Sequence, residues 1–99
     1  MAEIKLILDP TGPTSFDIYD EGKKQGEMIF GIEGKDMTIY HTEVNPESEG
    51  KGYAKMLLTA MVDYARKEHL MVIPMCPYVH AQFERHPDQY TDIWNKIDD

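Results

Sequence analysis

Polar and apolar positions alternate along the first 44 residues. Ile4, Leu6 and Leu8 alternate with Lys5, Ile7 and Asp9, which predicts a first strand. Asp9-Pro10-Thr11-Gly12-Pro13 should close it, because proline gives no ladder hydrogen bond and glycine permits a turn. A second strand over residues 15–20 places Phe16 and Ile18 on one face, with Glu21-Gly22-Lys23-Lys24 as a polar turn. Met28, Phe30 and Ile32 share a face of a third strand, and Gly34-Lys35-Asp36 is the next turn. Residues 37–44 form a fourth strand, rich in residues that favour extended structure. Short turns between four strands predict an antiparallel meander.

The period then changes. Ala54, Leu57, Leu58, Met61 and Ala65 lie at helical spacing, and Tyr53, Met56, Ala60 and Tyr64 widen that apolar face. Lys55, Thr59, Asp63 and Lys67 make the polar stripe. Residues 70–75 are a short apolar run, read as a buried fifth strand. Pro77 can open a helix, expected over 78–85 and ended by His86-Pro87. Residues 88–99 are a tail, helical in part around Tyr90–Trp94. The order β-β-β-β-α-β-α predicts an α+β domain over residues 1–99, with strands four and five parallel through a right-handed crossover. Met56, Met61, Met71 and Met75 are expected in the interior.

Composition narrows the classes. At 41% apolar and 28% charged residues, the chain is expected to be globular. No apolar run reaches the ~20 residues a membrane helix needs, the first residues lack a leader pattern, and Cys76 is the single cysteine. A cytoplasmic protein is the expectation. Net charge is -8, and it is uneven: residues 1–49 carry 11 acidic and 4 basic side chains, residues 50–99 carry 7 and 6. An acidic chain without a basic stripe is not expected to bind nucleic acid. Its acidic half either solubilises the surface or attracts a cationic acceptor.

The chemistry concentrates at Val44-Asn45-Pro46-Glu47-Ser48-Glu49-Gly50-Lys51-Gly52-Tyr53-Ala54. A strand leads into a polar loop, two glycines follow, and a long helix begins. The first amides of a helix have no internal partners, and with the helix dipole they attract anions. Gly50 and Gly52 let a phosphate come close, and Lys51 adds a positive charge. The same pattern also fits a glycine-rich helix start without a ligand. It is neither a Walker A loop nor a complete dinucleotide fingerprint.

This loop resembles the acetyl-coenzyme A loop of the GNAT superfamily, the general-control-related N-acetyltransferases, written Q/R-x-x-G-x-G/A. Glu47, Gly50 and Gly52 occupy its positions, with Glu47 where Gln or Arg is usual. The wider run is similar to a compact branch, the small GNAT-like (YjdJ-like) acetyltransferases. The runs that carry this are Tyr40-His41-Thr42-Glu43-Val44, Glu49-Gly50-Lys51-Gly52, Asp63-Tyr64-Ala65-Arg66, Ile73-Pro74-Met75-Cys76-Pro77-Tyr78-Val79 and Arg85-His86-Pro87. The resemblance implies a GNAT-type mixed sheet with strands four and five splayed. It also implies acetyl-CoA as co-substrate, its diphosphate on the amides of residues 50–54 and its pantetheine between strands four and five. Val44, Gly50, Lys51, Gly52, Tyr53, Ala54 and Cys76 are then the cofactor-binding candidates. Larger members place helices between their first two strands that help bind the acceptor. Here only residues 9–15 stand there, so the acceptor groove is open or is completed by another molecule.

Transfer to an amine requires a neutral nucleophile, a polarised thioester and a departing thiolate. His41 and Glu43 are two apart on the fourth strand, hence on one face if no bulge intervenes between them. Histidine is suited to proton transfer near neutrality. His41 is a catalytic candidate with Glu43, or else a half-buried strand histidine bonded to a neighbour. Cys76 follows the fifth strand, where the resemblance places the thioester. It is either an acyl acceptor or a packed thiol, and direct transfer is the usual route in GNAT members. Tyr78 could protonate the leaving thiolate, as a tyrosine does in many relatives, or simply pack. Cys76 and His80 have helical spacing, but no second ligand pair supports a metal, so none is expected. The reading is an acetyl-CoA-dependent N-acetyltransferase acting on an amine, either a small molecule or a lysine side chain. The rival is a coenzyme A-binding module with little or no catalytic activity.

Overall fold

The computed structural model of the chain describes residues 2–10 and 14–96. Thr11, Gly12 and Pro13 of the first expected turn, and residues 97–99 of the expected tail, lie outside the described residues. Five strands form one sheet in the order β1-β2-β3-β4-β5: β1 Ala2–Ile7, β2 Thr14–Asp20, β3 Lys23–Glu33, β4 Asp36–Val44 and β5 Met71–Pro74. The first four pair antiparallel, and β5 pairs parallel to β4. Helix α1 spans Tyr53–Lys67, α2 spans Pro77–Arg85, and a short α3 spans Pro87–Tyr90. The expected α+β meander with a helical crossover is therefore the fold.

Boundaries shift where local chemistry overrides the pattern. The turn after β2 is only Glu21-Gly22, both with positive φ, 53° and 79°. That twist suits a two-residue hairpin, so Lys23 and Lys24 join β3 instead of the turn. Residues 88–99 do not begin as a loose tail: proline opens α3 at Pro87. The segment expected to be helical to Trp94 leaves the helix at Tyr90 and runs beside β5. Val72 donates to the Ile93 carbonyl at 2.6 Å, and Asn95 donates to the Val72 carbonyl at 2.9 Å. Arg66 fastens this segment to α1 through Asp92 at 2.9 Å and the Gln89 carbonyl at 2.6 Å.

One face of the sheet carries the core. Phe16, Ile18, Met28, Phe30, Met37, Ile39 and Val72 are buried against Leu57, Leu58, Met61, Val62 and Ala65 of α1 and Val79 and Phe83 of α2. Phe16 and Phe30 sit 5.1 Å apart, with Tyr64 edge-on to Phe16 at 5.7 Å. On the opposite face Ser15, Glu27, Ile29, Gly31, Thr38 and Ile73 are only half-buried. Two methionines expected in the interior are exposed instead: Met56 at 43% and Met75 at 62%. Met56 falls just outside the arc of α1 that meets the sheet, and Met75 lies beyond the last pairing of β5.

Candidate active site

Strand β4 changes character halfway. Asp36, Met37, Thr38 and Ile39 pair with Met71, Val72, Ile73 and Pro74, and the ladder stops there. The last link is the Cys76 amide, which donates to the Ile39 carbonyl at 2.8 Å. Beyond it the chain turns into α2, whereas β4 continues to Val44 along β3 alone. A strand that has lost one neighbour exposes every other backbone N–H and C=O on that side. The result is a wedge between β4 and the β5–α2 junction.

A bulge marks the change. Ile29 pairs with His41 and Phe30 with Ile39, so Tyr40 is the extra residue. Its ring lies over Gly31, where an added Cβ would meet the ring at 3.2 Å. The bulge precedes both candidates, so His41 and Glu43 still share a face, opposite Ile29 and Glu27, and both are exposed. Thr42 takes the other face. Its hydroxyl accepts a hydrogen bond from the Cys76 thiol at 3.2 Å. Cys76 is 2% exposed and caps α2. The structure thus brings Cys76 to Thr42, at the closed end of the wedge, and sets His41 and Glu43 on the far side of the strand. Tyr78, the second residue of α2, is half-buried, and burial above all pushes its phenol up, with Tyr90 and Cys76 nearby adding to the effect. Its hydroxyl therefore keeps its proton at neutral pH.

The glycine loop occupies the open end. Val44 leads into a 3-10 turn, Pro46–Ser48, then Gly50 at φ 88° and Gly52 at φ 80°. Gly52 caps α1 in the left-handed region, which an L side chain rarely adopts. A Cβ at either glycine would meet nothing within 4 Å, so these positions face clear space. The first helical bond runs from the Met56 amide to the Gly52 carbonyl at 3.0 Å, leaving the amides of Tyr53, Ala54 and Lys55 ahead of it. Lys51, between the glycines, is exposed. The Tyr53 ring is buried and its hydroxyl donates to Asp20. That bond, first of all, holds the Asp20 carboxyl below the usual carboxylate range and raises the Tyr53 phenol.

The loop is anchored to β3. A second bulge makes Gln25 the extra residue between Ile18/Gly26 and Tyr19/Lys24. Its carbonyl accepts from the Asn45 amide at 2.8 Å, and its side-chain oxygen accepts from the buried Ser48 hydroxyl at 2.5 Å. Gly26 next to it has no room for a side chain, since a Cβ would stand 2.6 Å from the Glu43 carbonyl. Thr42, Ser48, Gln25 and the Tyr40 bulge were not singled out by sequence reasoning. Only Gly26 and Gly31, glycines inside a strand pattern, hint at bulges and close approaches. Among the described residues, no three His, Cys, Asp or Glu side chains gather as a metal site would require. No helix among them is long and apolar enough to cross a membrane.

The comparisons with known proteins agree on this architecture. The pattern of the family described as GCN5-related N-acetyl-transferase matches residues 15–93. The solution structure of a GCN5-like protein from Staphylococcus aureus is 31% identical, with a TM-score of 0.70 over 97% of this chain and 90% of that one. Two more distant structures share the fold. The ribosomal-protein-alanine N-acetyltransferase of Brucella melitensis biovar Abortus 2308 is 21% identical, with a TM-score of 0.64 over 93% of this chain and 67% of its own. The ribosomal-protein-S18-alanine N-acetyltransferase of Escherichia coli is 18% identical, with a TM-score of 0.62 over 67% of this chain and 43% of its own. No curated protein sequence matches. With four-fifths of its length under the family pattern and this sheet beneath it, the chain belongs to the GCN5-related N-acetyltransferase family of enzymes.

Proposed function

We propose that the chain transfers an acetyl group from acetyl-CoA to an amine, with residues 1–99 acting as one cofactor-binding domain. The observation that carries this reading is the divergence of β4 from β5 after Ile39 and Pro74, beside a helix opened by two left-handed glycines. The residues fit the co-substrate. The amides of Tyr53, Ala54 and Lys55 suit a diphosphate, with Lys51 adding charge and clear space at Gly50 and Gly52 admitting it. The unclaimed backbone groups of residues 40–44, Val44 among them, suit the amides of a pantetheine arm lying in the wedge like a strand.

When bound, acetyl-CoA supplies an activated carbonyl. The chain's residues hold it and move protons. His41, with Glu43 beside it, takes the proton the acceptor ammonium must lose before its nitrogen attacks. Tyr78, protonated at neutral pH, gives a proton to the thiolate as the carbon–sulfur bond breaks. Cys76, buried and bonded to Thr42, shapes the thioester pocket, and transfer is direct. The acceptor, a small amine or a lysine side chain, approaches from the exposed side of β4.

The decisive experiment combines intact mass after incubation with acetyl-CoA and a thiol-release assay across amine acceptors. Direct transfer gives thiol release that persists in Cys76→Ala and no stable protein adduct. A stoichiometric acetyl-Cys76 that passes its group to amine as fast as steady-state turnover overturns the direct route. The half-exposed outer face beside His41 favours a second reading, a coenzyme A-binding module. That reading predicts binding with neither adduct nor thiol release for any amine.

A further inference from the structure

At the sheet's opposite edge, β1 pairs only with β2, and among the described residues nothing covers its outer side. Such an edge is a template for another strand, and proteins usually guard it with a central charge. Lys5 occupies that central position, exposed, with its ammonium 4.8 Å from the Tyr19 ring on the outer face. Glu3, two residues away, is on the same face and also exposed. The strand's far end is apolar on both faces: Leu6 is 36% and Ile7 40% exposed.

We propose that β1 pairs antiparallel with β1 of a second copy, with Ile4 on the two-fold axis, joining two sheets into one of ten strands. Two-fold pairing places side chains of the same face opposite one another, so only registers differing by two residues are available. Charge selects one of them. With Ile4 opposite Ile4 of the partner, Glu3 meets the partner's Lys5 and Lys5 meets the partner's Glu3, giving two opposite-charge pairs. Sliding two residues one way sets Glu3 against Glu3 of the partner, and the other way sets Lys5 against Lys5 of the partner. In the selected register Ala2 and Leu6 of the two copies also meet on the helix-bearing face, covering Leu6. The lysine that deters foreign strands is thus satisfied by this chain's own edge. The wedge lies beside β4, about 14 Å away across three strand spacings, so the two sites stay open.

Sedimentation velocity and light scattering test this on the full chain, with circular dichroism confirming the fold of each variant. The wild type should dimerise reversibly, and Lys5→Glu and Glu3→Lys should each weaken the dimer at least tenfold. Mixing these two variants should restore a heterodimer, since acidic edge then meets basic edge. The exchanged double variant, Glu3→Lys with Lys5→Glu, should dimerise like the wild type. A wild type that stays monomeric at millimolar concentration overturns the proposal, as does a dimer indifferent to Lys5→Glu or a mixture that stays monomeric. Coenzyme A affinity should be equal in all variants.

Discussion

The two halves of β4 share a strand but differ in almost everything else. Residues 36–39 have a neighbour on each side, and Met37 and Ile39 are fully buried. Residues 40–44 have β3 alone, with Tyr40, His41 and Glu43 exposed. The bulge at Tyr40 separates them. Packing and the candidate chemistry are thus assigned to successive stretches of one element. The paired half holds the strand rigid, so the open half can present backbone groups to a ligand without collapsing.

Substitutions in the two halves should separate accordingly. Met37→Ala removes a fully buried side chain from the paired half and should lower the unfolding free energy by about 2–5 kcal/mol, read by urea titration. Coenzyme A affinity should survive at temperatures where the variant is folded. A loss much below that range would mean the paired half is not what anchors the strand. In the open half, His41→Ala should leave stability within about 0.5 kcal/mol, because the side chain is exposed. Its turnover should fall by roughly a hundredfold if proton transfer runs through it. Equal turnover in the variant and the wild type would remove His41 from the chemistry.

Gly52→Val tests the loop at the open half's end. The valine would stand in clear space at a φ that disfavours it, and affinity for coenzyme A should drop at least tenfold, about 1.4 kcal/mol by calorimetry. Unchanged affinity in a folded variant would exclude the α1 amides as the diphosphate site. The smallest effect is expected from Tyr53→Phe. In the wild type the Tyr53 hydroxyl keeps the Asp20 carboxyl below its ordinary range. A depressed carboxyl stabilises the fold above the unfolded-state value and loses that contribution as pH falls through the folded-state value. The stability gap between wild type and Tyr53→Phe should therefore be constant near neutrality and close in acid. A gap independent of pH would mean the bond does not hold Asp20 ionised.

Much of this was legible because it rests on local periodicity. Alternation in Phe16/Ile18 and Met28/Phe30 revealed one buried face, and Leu57, Leu58, Met61 and Ala65 gave α1 its inner side. The glycine loop was readable because Gly50 and Gly52 punctuate a switch of period from two to 3.6. What stayed hidden depends on three-dimensional context. A bulge at Tyr40 adds one residue without disturbing composition, and it reassigns every later side chain on β4 to the other face. Thr42 meets Cys76 across 34 positions of sequence, which no local pattern encodes. Met75 looked like core because it continues an apolar run, but β5 had already ended at Pro74.

The strip of chain that seals the outer side of β5 contains the protein's single tryptophan. Trp94 lies 5.5 Å from the Phe83 ring and edge-on to His80 at 6.2 Å, with the Lys96 ammonium 4.2 Å above it. Its fluorescence is therefore an optical gauge of that seal. Detachment of residues 93–95 from Val72 would move the indole into water and shift its emission to the red. The far-ultraviolet dichroism of β1 to β4 and α1 is expected to persist when residues 93–95 alone open locally. Two signals from one cuvette thus distinguish an unzipped margin from a molten interior without any label.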